Sequence, residues 1–143
     1  MKILVSACLL GCPCRYDGKS KPNDRVLALM AAHTLIPVCP EQMGGLATSR
    51  PPAERKNGGV FTEAGVDVTD QYCRGAEEAL RLARLYGCTC AILKERSPSC
   101  GSGEIYDGSF SRSLIAGDGV TAALLKANGI TVVGESEVER LWK

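Results

Sequence analysis

Apolar positions follow two rhythms along the chain. Residues 2–7, KILVSA, form a short apolar run, and residues 34–39 (TLIPVC), 89–94 (TCAILK) and 130–133 (ITVV) repeat it. Runs of this length bounded by turn formers predict strands buried on both faces. Between them the period lengthens. In residues 23–33, NDRVLALMAAH, a capping Asn precedes apolar residues at helical spacing. Residues 69–88, TDQYCRGAEEALRLARLYGC, predict a longer helix with Thr69 or Asp70 as cap, Leu82 and Leu85 on the apolar face, and Gly87 as the stop. A third helix is expected within residues 117–130, ending at Gly129, and a last one over residues 135–142. Strands alternating with helices predict an α/β fold, a small Rossmann-like three-layer domain. Its sheet is mainly parallel and four-stranded, joined by right-handed crossovers, with helices on both faces.

Two stretches break the rhythm, residues 40–68 and 95–117. Loops of that length in a small domain are functional, disordered or carry small elements of their own. GVFTEAGVDVT, residues 59–69, predicts a hairpin around Ala64 and Gly65. PEQMGGLATSRPPAER, residues 40–55, has neither period.

Composition narrows the class. With 143 residues, 45% of them hydrophobic, the chain can bury a real core and is expected to form one domain over residues 1–143. The net charge is +1, with Lys and Arg scattered, so no basic face for nucleic acid is expected. The opening MKILVSACLLG is too short for a secretory core, and no later run approaches membrane-spanning length. A cytoplasmic protein is expected, without a membrane partner. Eight cysteines in a reducing compartment argue against a disulfide framework and toward metal, cluster or thiol chemistry.

The strand assignment sorts those cysteines. Cys8 follows the first strand, Cys39 ends the second, and Cys100, in KERSPSCGSG, lies in the loop leaving the third. All three fall at the carboxyl end of a parallel sheet, where such sheets build ligand sites. Cys88 and Cys90 open the third strand and read as small core residues at the opposite end. Cys73 is placed in a helical first turn and expected to pack; Cys12 and Cys14 share the loop after Cys8 and either can reach the site. The chain has no C-x-x-C pair, and His33 is expected half-exposed in a helix, so zinc is the weaker candidate. Iron–sulfur clusters are usually held by four cysteines, and three leave one iron open. The plainer alternative is that three cysteines merely fall near strand ends.

Six ordered motifs, SACLLG, CRYDG, VCPEQMGGL, RPPAER, TEAGVDVTDQY and KERSPSCGSG, resemble the bacterial family that includes the 2-thiouracil desulfidases, the TudS-like proteins. The likeness runs from Val5 to at least Asn128. It implies a [4Fe-4S] cluster held by three cysteines, with its fourth iron open to the sulfur of a small thiolated pyrimidine. On this chain the ligands would be Cys8, Cys39 and Cys100. The catalytic acid and serine would be Glu41 and Ser97, the first activating water and the second hydrogen-bonding substrate. The implied reaction is non-redox hydrolytic desulfuration of a nucleobase such as thiouracil.

Two other classes remain beside this one. One is a non-catalytic iron–sulfur or metal-binding module that delivers sulfur or iron to a partner; the other is a sulfur transferase acting on RNA. Glu41, two residues past Cys39, favours the enzyme. Around the same end, Arg15, Tyr16 and Asp17 can frame a pocket, and Arg50 and Arg55 can bind an anion or tie the loop down. Gly44-Gly45 and the GSG at residues 101–103 are weak ligand signals, and for all of these a structural role is favoured.

Overall fold

The computed structural model describes residues 1–142. In chain order the strands are β1 (Lys2–Ser6), β2 (Thr34–Val38), β3 (Ala53–Lys56), β4 (Gly59–Thr62), β5 (Cys90–Leu93), β6 (Glu104–Tyr106), β7 (Leu114–Ala116) and β8 (Thr131–Gly134). The helices are α1 (Asp24–Ala28), α2 (Pro40–Met43), α3 (Thr69–Tyr86) and α4 (Val120–Ala127). Four strands form the expected parallel sheet in the order β2-β1-β5-β8, and β3–β4 and β6–β7 are separate antiparallel hairpins. The α/β class with helices on both faces is therefore the observed fold.

Alternation along each strand divides the core in two. Leu4, Ala91, Leu93 and Val132 face one layer, packed with Ala79, Leu80 and Ala83 of α3 and Ala122 and Leu125 of α4. Ile3, Val5, Ile92 and Val133 face the other, against Val26 of α1 and Val138. Successive strand side chains point to opposite faces, so a sheet covered on both needs unbroken apolar runs. The four strand predictions rested on such runs.

Several local expectations change. The first helix keeps its cap, Asn23 Oδ1 accepting from Val26 N at 3.1 Å, but ends at Ala28 and passes through a 3-10 turn, Leu29–Ala31. His33 consequently lies in the bend before β2, half-buried, its ring stacked on Trp142 with centroids 4.9 Å apart. Val68, rather than Thr69 or Asp70, precedes α3; the Thr69 hydroxyl accepts from Val60 N at 2.9 Å instead. Gly87 does stop this helix, at φ 71. Its buried stripe is Tyr72, Ala76, Ala79, Leu80 and Ala83. Leu82 packs at its margin, while Leu85 is 67% exposed. Cys73 falls in the solvent-facing stripe and is exposed, not packed.

Residues 135–142 are 3-10 rather than α, with a non-helical break at Glu137. Their first residues are tied to the end of β5, where Glu95 N donates to Glu135 Oε1 at 2.7 Å. A tight turn forms at Gly65, with Thr62 N donating to Val66 O at 2.9 Å, yet beyond it only Phe61 and Asp67 pair. The principal hairpin, β3–β4, turns at Asn57-Gly58, both left-handed at φ 51 and 80. That is the geometry Asn-Gly favours in a two-residue loop.

Candidate functional site

Each wall of the site begins at a strand end. β1 runs straight into a 3-10 turn, Ala7–Leu10, that carries Cys8. Cys39 caps α2, with Pro40 as its first helical residue, a position that has no partner for an N–H in any case. Cys100 lies in the turn after β5, where Gly101 N donates to Ser97 O at 2.8 Å. Because every pair within the four-stranded sheet is parallel, all three leave its carboxyl end. The chain goes from β1 out to β2, then back past β1 to β5. The crevice between β1 and β5 is thus the point where strand order reverses, the favoured ligand position in such sheets. A cleft of about 690 Å³ opens there, and Cys8, Cys39, Cys100, Glu41 and Ser97 all line it.

Close backbone contacts fix two of these walls. A Cβ on Gly75 of α3 would lie 1.8 Å from Pro40 O, and one on Gly44 would lie 1.9 Å from Gln71 O. α2 and α3 touch backbone to backbone, which sets where Cys39 and Glu41 point; Gly44 serves this contact rather than a ligand. The Cys100 turn is held by the first N–H groups of α4, donors that lack intrahelical partners. Val120 N donates to Pro98 O at 2.9 Å and Thr121 N to Ser99 O at 2.8 Å. Ser99 Oγ and Thr121 Oγ1, both fully buried, are 2.8 Å apart. Ser97 Oγ accepts from Ser99 N and Cys100 N, each at 3.1 Å, leaving its own proton to donate into the cleft.

Glu41 is not a free carboxylate. Arg50 grips its Oε2 through Nε at 2.7 Å and through a second guanidinium nitrogen. The two side chains are only 13% and 6% exposed. The same guanidinium donates to Cys14 O at 2.9 Å and to Ala47 O at 3.2 Å, so one arginine ties α2, its own loop and the Cys14 loop together. Burial alone would lower the Arg50 pKa, but Glu41 beside it holds it above the ordinary arginine value. Tyr72 of α3 faces Glu41 as well; burial first, then that carboxylate, pushes its hydroxyl pKa far up.

The thiols number four rather than three. Cys14 is buried and lines the cleft, and Cys39 Sγ donates to its carbonyl at 3.7 Å. Its thiol neighbours Cys39, which pulls its pKa down; hydrogen bonding to Cys8 and burial outweigh that and leave it at about 11. The Cys39 thiol is driven far up by Cys14 and burial. Burial raises Cys100 to about 12, against a Ser6 hydrogen bond that lowers it. Cys12 is exposed and does not line the cleft. Cys88 and Cys90 are buried at the opposite end, Cys90 opposite Ile3, as expected.

The donor set suits a cluster. Among the described residues no three His, Cys, Asp or Glu side chains are spaced to share one metal ion. Thiolates of a cluster each bind a different iron and stand further apart, so thiols spread around one cleft, three buried and Cys39 half-buried, fit that group, and their softness matches it. A second cleft, about 780 Å³ and more polar, lies along β8 and holds no cysteine. Its size does not make it the centre of this chemistry.

The remaining candidates are mostly structural. Arg15 and Tyr16 line the cleft, the guanidinium 5.8 Å from the ring centroid. Asp17 forms a turn, accepting from Lys19 N at 3.0 Å. Arg55 donates to Asp118 O at 2.7 Å, tying the two irregular segments together. Gly103 N in the GSG stretch is taken by Asp118 Oδ1 at 2.8 Å. No helix of the described residues is long and apolar enough to cross a membrane.

Comparison with known proteins bears on the fold as a whole. The sequence profile of the 2-thiouracil desulfurase family matches residues 3–137. The uncharacterized protein YbbK of Bacillus subtilis (strain 168) is 43% identical over 146 residues, covering 95% of this chain and 97% of the relative. A solved structure described as the [4Fe-4S]-dependent thiouracil desulfidase TudS superposes with a TM-score of 0.93 at 52% identity, covering 99% of this chain and 95% of that one.

Proposed function

Since the chain belongs to the 2-thiouracil desulfurase family, we propose that it is a [4Fe-4S]-dependent desulfidase acting on a small thiolated pyrimidine such as thiouracil. Water replaces sulfur at one ring carbon, C=S becomes C=O, and sulfur leaves as hydrogen sulfide, with no change in oxidation state. We take residues 1–143 as one domain carrying this activity. The observation that supports it most is the meeting of Cys8, Cys39 and Cys100, from three separate strand ends, on one cleft beside Glu41.

Cys8, Cys39 and Cys100 would hold the cluster, and Cys14 would stand as a thiol neighbour to two of them. When bound, the cluster supplies a soft Lewis-acidic iron for the thiocarbonyl sulfur, which makes the ring carbon more electrophilic. Glu41 orients the attacking water and takes its proton. Arg50 holds Oε2 of that carboxylate so that it cannot swing away from the cleft. Ser97 donates its hydroxyl proton to a ring oxygen or nitrogen of the substrate, an orientation fixed by the two N–H groups that its oxygen accepts. Tyr72, buried next to Glu41, lines the same cleft.

The test is anaerobic reconstitution with iron and sulfide, then sulfide release from 2-thiouracil and 4-thiouracil by wild type and Glu41→Gln at measured iron content. Release by wild type and silence from a fully loaded mutant support the enzyme. A loaded wild type that releases no sulfide from either base rejects it.

A further inference from the structure

One carboxylate joins the two irregular segments beside the cleft, in addition to the Arg55 tie. Glu54 of β3 uses one oxygen, Oε1, to accept Gly108 N at 3.0 Å and Phe110 N at 3.1 Å, both at the tip of the β6–β7 hairpin. Gly108 is pressed on β3, for a Cβ there would lie 2.8 Å from Lys56 Cβ and 2.9 Å from Arg55 O. Phe110 follows with left-handed backbone, φ 57. A residue of that size adopts such a conformation rarely and keeps it only where surrounding contacts impose it. The Glu54 bond to its own N–H is one such contact. The outcome is a half-buried phenylalanine lining the same cleft as Glu41, Ser97 and Cys100.

The chemistry assigned to Glu41 and Ser97 has no need of this device, yet recognition does. A thiolated pyrimidine is a flat ring whose edge is occupied by the reacting groups, so its faces are what remain to be held. Aromatic side chains bind such faces without matching ring substituents. We propose that Phe110 is the stacking wall of the substrate pocket and that Glu54 is its latch, a positioning residue that holds the hairpin tip over the ring. This deepens the thiolated-base reading above and rests on it.

The proposal is tested on the reconstituted full chain with two probes. Steady-state desulfuration of 2-thiouracil gives kcat and KM; calorimetric titration with uracil gives the affinity for the ring without its sulfur. Phe110→Ala should raise both KM and the uracil Kd about fivefold or more, the low end of a lost base–aromatic stack. kcat should change less, iron content and visible spectrum not at all, and Phe110→Tyr should stay near wild type. Glu54→Ala should reproduce the KM rise, and Glu54→Gln, which keeps an acceptor oxygen, should recover most of it. Where Phe110→Ala melts early, Phe110→Leu decides the matter, since it keeps apolar bulk without the ring. Unchanged KM and Kd in a folded, loaded Phe110 variant beside an active wild type overturn the wall and leave the desulfidase standing. A wild type that neither binds uracil nor releases sulfide takes down both.

Discussion

The two ends of the parallel sheet both hold buried thiols, and they differ in everything else. At the amino end Cys88 and Cys90 lie two positions apart on the chain, just before and at the start of β5, with burial the leading reason their thiol pKa values rise. At the carboxyl end Cys8, Cys39 and Cys100 arrive from three strands, joined by Cys14, and face a cleft with a gripped carboxylate. Burial is common to both ends, so burial does not mark the site. Convergence of separate loops at the switch point does, because only there can donors surround a ligand instead of a neighbouring side chain.

Replacement of single thiols breaks the comparison most sharply. Cys39→Ser should abolish the broad visible absorption of the reconstituted protein and its iron content, while Cys88→Ser should keep both. Equal loss in the two would erase the distinction between the ends. Glu41→Gln comes next: turnover should fall on the order of a hundredfold to ten-thousandfold at equal iron occupancy, measured as sulfide released from 2-thiouracil.

The protonation of the carboxyl-end thiols gives the third test. In the apoprotein Cys14 is raised to about 11 and Cys100 to about 12 from an ordinary 9.0. A thiol raised on folding contributes stability that is whole below pH 9, declines above it, and is gone once pH passes the folded value. Only the thiolate alkylates. At pH 8 iodoacetamide should therefore label Cys14 about a hundredfold more slowly than an ordinary thiol, and the label should appear as pH climbs toward 11, followed by peptide mass spectrometry. Labelling of Cys14 at the ordinary rate at pH 8 would remove the thiol cluster. The smallest effect is expected at the helix contact that aims Glu41. Gly75→Ala should cost about 1–3 kcal/mol in urea melts, the usual range for forcing a methyl into a packed contact. Full stability together with full activity would show that α2 does not need that approach.

The sheet was readable because a strand covered on both faces must be apolar without interruption, and that leaves a mark in consecutive residues. It carried the cysteine sorting with it, since position along a parallel strand decides the end at which a residue emerges. The hairpins left a fainter mark. β6 and β7 have three residues each, too few for a period, and the β3–β4 turn announced itself only by Asn57-Gly58. Cys73 went astray by a single residue: it follows buried Tyr72 about 100° round α3, enough to exchange the packed stripe for the exposed one. The partners of Glu41 could not be read locally: Arg50 reaches it from a stretch without period, and Tyr72 from a helix 31 residues away whose stripe signals core. Cys14 entered the site through folding of its loop onto Cys39, which spacing alone does not encode.

The order of the strands also sets a timetable. β1 is central and first made, while its other neighbour, β5, lies some ninety residues downstream. At about 5–20 residues per second, Cys8 waits on the order of 5–20 seconds for Cys100 to be synthesised at all. A group that needs both thiols therefore cannot be held before that second thiol exists. By then the β3–β4 hairpin is already made, so of the two hairpins that line the cleft, Glu54 on one and Tyr106 and Phe110 on the other, only the second is still to come.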